Sequence, residues 1–143
     1  MKMSNIKVVN GYDSKEVRKY INLTGDKGYC TISALHFVTG ESMYNCVSYM
    51  KAFGRVYQKG MNLIQIERAL RGNKKYSFNI SKYGTIKEGL TINQFVRKHP
   101  LGNYYVIVNE HALAICDGVV IDCYNDLNRI IEKVWKCVLK DEG

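Results

Sequence analysis

Proline is almost missing from this chain: among 143 residues only Pro100 is one. No tract rich in Ser, Gly or Pro interrupts the sequence, so nothing reads as a linker between domains, and no internal repeat marks a solenoid. Long apolar runs are absent too. The longest, such as Tyr104–Val108, fall far short of the roughly 20 residues that span a bilayer, and no membrane partner is expected. The opening residues, MKMSNIKVVNGYD, lack the apolar stretch of a secretion signal, so the expected location is the cytoplasm. The five cysteines, Cys30, Cys46, Cys116, Cys123 and Cys137, are irregularly spaced and form no CxxC. That excludes a paired-cysteine zinc motif and a thioredoxin motif. Reduced thiols are expected, with Cys46, Cys116, Cys123 and Cys137 as small buried hydrophobes. Nothing in the sequence calls for a metal or organic cofactor.

What is present suits one domain spanning residues 1–143. Hydrophobic residues make up 46% of the chain, and a chain of this length buries about two thirds of its unfolded surface. The net charge of +8 invites a nucleic-acid partner. The Lys and Arg residues are scattered, however, with short clusters only at Arg71–Lys75 and Arg97–His99. A diffuse basic surface attracts an acidic macromolecular partner without defining a site. The eleven tyrosines could stack bases, but no aromatic–basic spacing of an RNA-binding motif appears.

The order of elements follows from periodicity and punctuation. Val17–Leu23 fits no single class, and Leu23–Tyr29, with Gly25, Asp26 and Gly28, reads as a loop. From Cys30 the spacing of Cys30, Ala34, Phe37 and Val38 predicts a helix. Ser42 caps a second helix that Gly54 ends, and Asn62 caps a third that Gly72 ends. Tyr76–Ile80 alternates as a strand does, and Thr91-x-x-Gln94 is a capping-box pattern. Beyond Pro100 the sequence turns β-rich: Tyr104–Val108, Ala112–Cys116, Val119–Cys123 and Val134–Leu139. Asp117-Gly118 between two such runs is a strong hairpin signal. Helices first and strands afterwards predict an α+β domain, with N-terminal helices, the first opening at Cys30, packed on a C-terminal antiparallel sheet.

Chemistry concentrates at three residues. Cys30 follows a glycine-containing loop and opens a helix, whose N-terminal dipole and free N–H groups favour a thiolate and can hold an oxyanion. His111 and Asp122 flank the Asp117-Gly118 turn, offset by about two residues in the expected hairpin, a diagonal that side chains on one face can bridge. A carboxylate beside an imidazole orients it and stabilises its protonated form. A cysteine that merely starts a helix is as a rule buried and inert, so the signal lies in the combination. His36 and His99 read as packed or loop histidines.

Cysteine at a helix start, then histidine on a strand and an acid on the next, is the chain order of papain-like catalytic folds. Asp26-Lys-Gly-Tyr-Cys30-Thr-Ile-Ser-Ala34, Thr39-Gly40-Glu-Ser-Met-Tyr44, Gly54-Arg55, Leu101-Gly-Asn-Tyr-Tyr105, the pattern His111-x-x-Ala-x-x-Asp117-Gly118-x-x-x-Asp122 and the closing Trp135 resemble small uncharacterised phage and bacterial proteins of papain-like cysteine peptidase type. The resemblance covers about Asn22 to Val138. It implies Cys30 as nucleophile, His111 as base and Asp122 as the orienting acid. It also implies a side-chain amide upstream of the nucleophile, for which Asn22 is the only amide in the ten preceding residues. The chain departs from the family pattern in placing Lys27-Gly28-Tyr29 between Asp26 and Cys30. The implied activity is acyl transfer by a cysteine hydrolase of peptidase, isopeptidase or deamidase type on a protein or peptide substrate, in the host cytoplasm if the chain is phage-encoded. The competing reading is an inactive papain-like interaction protein that binds a host factor or nucleic acid. A structural accessory protein of a larger assembly is a third.

Overall fold

The computed structural model describes residues 5–80 and 89–140. Its elements are β1 (Val8–Val9), a 3-10 turn (Gly11–Asp13), α1 (Lys15–Thr24), α2 (Cys30–Thr39), α3 (Met43–Ala52), α4 (Leu63–Arg71), β2 (Tyr76–Ile80), α5 (Ile92–Lys98), β3 (Asn103–Val108), β4 (His111–Cys116), β5 (Val119–Ile121) and β6 (Lys133–Leu139). The six strands form one sheet in the order β1-β5-β4-β3-β6-β2. The α+β class expected from the sequence is what is found. Among the described residues, no helix is long and apolar enough to cross a membrane.

Local chemistry explains the boundaries. Ser42, Asn62 and Thr91 each accept a backbone N–H from the first turn of the helix they open, and the last two form full capping boxes with Gln65 and Gln94. Asp117 and Gly118 both adopt positive φ, at 46° and 81°, which is what a two-residue hairpin turn requires. The ladder on either side of it pairs Cys116 with Val119 and Ala114 with Ile121.

Two expectations are corrected. The first helix is α1, not the one opening at Cys30. Ser14 caps α1 by accepting the Val17 N–H, Gly25 closes it at φ 69°, and Val17 and Tyr20 are buried. The apolar side of α1 is Val17, Tyr20 and the partly buried Ile21, a helical i, i+3, i+4 spacing that spans little more than one turn. The sheet is also not wholly antiparallel. β1 runs parallel to β5, pairing Val8 with Val120 and Val9 with Ile121. Two residues are too short a run to carry a strand signature.

Alternating residues of the central strands feed two cores on opposite faces. Tyr105, Ile107, Ala112, Ala114 and Trp135 pack with residues of α1–α4, while Tyr104, Val106, Leu113, Ile115, Val120 and Val134 pack with Ile92, Phe95 and Ile131. Helix α2 is tied to the sheet at both ends. The fully buried Tyr105 donates its hydroxyl to the Thr31 carbonyl at 3.0 Å, and Asn103 donates to the Val38 carbonyl at 3.1 Å. Cys30 is thereby held at a fixed height over β4.

Candidate active site

The loop before Cys30 is built around a buried ion pair. Asp26 and Arg55 meet at 2.6 Å with their side chains almost wholly enclosed. Tyr20 donates its hydroxyl to Asp26 at 2.6 Å, and the Gly28 N–H donates to the same carboxylate. Arg55 also donates to the carbonyls of Gly28 and Lys59. A Cβ on Gly28 would stand 2.6 Å from the Lys59 carbonyl carbon, so only glycine allows the two loop backbones to lie this close. The sequence marked Asp26 and Arg55 without indicating that they are partners; nothing local links residues so far apart.

Cys30 is the first residue of α2, and its N-cap Tyr29 supplies no side-chain acceptor. In that turn the Ile32 and Ser33 N–H groups donate to the Tyr29 carbonyl, while the Thr31 N–H bonds the Cys30 thiol. Burial pushes the Cys30 thiol up, but bonds from the His111 side chain and the N–H groups of Ala112 and Thr31 outweigh it and hold the thiol below its ordinary value. Burial raises Cys46 and Cys137 to about 12 and Cys116 to about 11, and it raises Cys123 as well. Of the five thiols, Cys30 alone is held below its ordinary value.

His111 opens β4 and is held from its far side. Its Nε2–H donates to Asp122 Oδ1 at 2.6 Å, which leaves Nδ1 as the nitrogen available to the thiol. Burial disfavours the imidazolium, but the bonds to Asp122 and Cys30 overcome it and raise His111 to about 9. Asp122 is buried, which alone would raise its carboxyl. Bonds from His111 and from Arg129, at 2.7 Å to Oδ2, bring it below the ordinary value. The shifts at Cys30 and His111 act together and favour a thiolate–imidazolium pair.

The three residues singled out from sequence are thus brought together. The strand ends at Ile121 rather than Cys123, so Asp122 lies just beyond the ladder, clamped by its own N–H donating to the Val9 carbonyl at 2.9 Å. Asn22 is not brought there. It is exposed on α1 and its Oδ1 receives the Tyr12 hydroxyl at 3.4 Å. The amide that does line the cleft is Asn10, at the end of β1, whose Oδ1 accepts the Tyr12 N–H. Cys123 is exposed rather than in the core, and Cys116 is half-buried, its thiol donating to the Phe37 carbonyl. Cys46 and Cys137 are buried as expected. His36 is half-buried on α2, its Nδ1 at 2.5 Å from the Glu41 carbonyl. His99 caps the end of α5.

Cys30 and His111 open onto a cleft of about 300 Å³, which Asn10, Tyr12, Lys27, Phe37 and Tyr124 help to line. Sequence reasoning missed Asn10, Arg129 and Tyr124. Arg129 follows Asp122 by one loop, and its only sequence signal was a basic residue close behind the acid. Chemically, the arrangement sets a thiol held below its ordinary value beside an imidazole anchored on a carboxylate, all three residues lining one cleft. No protein-family model, curated protein or solved structure matches the chain.

Proposed function

We propose that the chain is a papain-like cysteine hydrolase acting on an amide or isopeptide bond of a protein or peptide. The observation that carries this reading is the continuous relay Cys30–His111–Asp122, in which Cys30 is the one activated thiol of five. The Cys30 thiolate attacks the carbonyl carbon, forming a C–S bond and an oxyanion. The N–H of Cys30, at the free end of α2, stabilises that oxyanion, and Asn10 supplies the side-chain amide of the cleft. His111 gives its proton to the leaving nitrogen as the C–N bond breaks, leaving a thioester. It then takes a proton from water, which attacks the thioester and releases the acid and the thiolate. Asp122, fixed by Arg129, keeps the ring oriented and its charge compensated throughout.

The test is the rate of Cys30 alkylation by iodoacetamide between about pH 5 and 9, read by peptide mass spectrometry, in the wild type and in His111→Ala. Fast, selective labelling of Cys30 near pH 6 that the variant loses supports the reading. Labelling that rises only around pH 8.5, as for an ordinary thiol, refutes it and leaves the basic surface as the part to probe for a binding partner.

A further inference from the structure

We propose that His111, Asp122 and Cys123 form a binding site for a thiophilic divalent cation of the Zn²⁺ class, whose occupation withdraws His111 from Cys30. One imidazole nitrogen, one Asp122 oxygen and the Cys123 sulfur all lie within 4.8 Å of one another. Ligand atoms around a tetrahedral Zn²⁺, with bonds of about 2.0–2.3 Å, stand roughly 3–4 Å apart. Rotation of the exposed Cys123 side chain brings the sulfur in, and His111 Nε2 and Asp122 Oδ1, now 2.6 Å apart across their hydrogen bond, part as the cation takes the place of the proton between them.

The backbone explains how neighbours in sequence come to face one partner. In a regular strand Asp122 and Cys123 would point to opposite faces. Here β5 stops at Ile121, and the Cys123 N–H turns back to donate to Asp122 Oδ1 at 2.8 Å. Both side chains therefore gather at His111, an arrangement that no CxxC-type spacing announces. Asp122 can give one oxygen to a cation because Arg129 anchors the other. Cys123 is exposed and lines the same cleft as His111 and Asp122, so a cation reaches the three ligands from solvent. A donor set of nitrogen, sulfur and one carboxylate selects Zn²⁺ over Mg²⁺ or Ca²⁺. Binding at Nε2 releases to solvent the ring proton that now lies between His111 and Asp122, and with that nitrogen occupied the ring can no longer become the doubly protonated imidazolium that pairs with the Cys30 thiolate. The site itself does not rest on the hydrolase reading, since the three ligands exist whether or not Cys30 attacks a substrate.

The experiment titrates the metal-free protein with Co²⁺ and follows the thiolate-to-cobalt charge-transfer band, then displaces the cobalt with Zn²⁺. The expected result is one equivalent bound, with the band present in the wild type and in Cys30→Ala and lost in Cys123→Ala. His111→Ala weakens binding at least tenfold, the scale seen when a metal site loses a partner. Zn²⁺ should also slow Cys30 alkylation in the wild type and leave it unchanged in Cys123→Ala. Cys123 is exposed, so its replacement leaves the fold intact, which circular dichroism checks. A band that persists in Cys123→Ala, one that vanishes in Cys30→Ala, or no band up to millimolar cobalt overturns the proposal. Slow alkylation of the metal-free wild type would instead sink the hydrolase reading and leave the cobalt result standing.

Discussion

Replacing Arg55 by Met tests the frame that delivers Cys30 to its site. The Asp26–Arg55 side chains are 0% and 2% exposed, so the change strands a carboxylate away from water. Removing one partner of a buried pair costs about 3–5 kcal/mol. The Gly28 and Lys59 carbonyls lose a donor too, which places the expected loss toward the upper end of that range. Against a total stability of roughly 5–15 kcal/mol, the variant should be close to unfolding. Urea denaturation at neutral pH reads the loss, and the double variant Asp26→Asn/Arg55→Met should recover at least about 2 kcal/mol of it, because the stranded charge is gone. The pH dependence carries a sign. Burial pushes the Asp26 carboxyl up, yet the bonds from Arg55 and Tyr20 hold it below the ordinary 3.8. In the wild type its contribution is therefore present above that value and lost as pH falls through the depressed one. In Arg55→Met the carboxyl rises instead, so the gap between the two proteins should narrow on acidification. A loss below about 1 kcal/mol, or no rescue by Asp26→Asn, would refute the account of this pair as an electrostatic lock.

Gly28→Ala forces a Cβ to within 2.6 Å of the Lys59 backbone. It should cost about 1–3 kcal/mol and slow Cys30 alkylation near pH 6, since the loop must shift. Tyr105→Phe removes the donor to the Thr31 carbonyl and should cost about 1–2 kcal/mol in urea unfolding. Asp122→Asn keeps the shape but removes the charge that holds His111 protonated, so the inflection of Cys30 alkylation should move up toward that of an ordinary thiol. For hydrolysis of any substrate found, kcat/KM should fall on the alkaline side as His111 deprotonates at about 9 and on the acid side as Cys30 is protonated. The raised His111 value also means that its contribution to stability is complete below the ordinary 6.5 and is lost as pH rises through about 9.

The elements legible in the sequence were those with strong local chemistry. The caps at Ser42, Asn62 and Thr91 and the Asp117-Gly118 turn fix their backbones through nearby atoms, and each fell where expected. The His111–Asp122 pairing was legible for the same reason, because a two-residue turn sets the register of everything beside it. Most of what escaped was decided at long range. β1 is two residues long and pairs only with β5, whereas α1 does carry local signals, the Ser14 cap and the Gly25 stop, that lie outside the Val17–Leu23 stretch. Closeness in sequence to Cys30 points to Asn22, whereas Asn10 lines the cleft because β1 pairs with β5 just before Asp122. A strand continued to Cys123 would turn that side chain into the core, but β5 ends two residues earlier, at Ile121, and Cys123 is exposed.

The tether between Tyr105 and Thr31 spans 74 positions, and the clamp from Val9 to Asp122 spans more of the chain still. That separation sets an order in time. A ribosome adds roughly 5–20 residues per second, so Cys30 leaves it several seconds before the histidine and acid that would activate it. Throughout that interval the thiol is an ordinary one, next to a nascent helix with no base. The three side chains come together only when β4 and β5 close against the earlier-made α2 and β1. The reactivity proposed for Cys30 would therefore be a late event of synthesis, and a truncated product ending before His111 would carry the sulfur without its proton carrier.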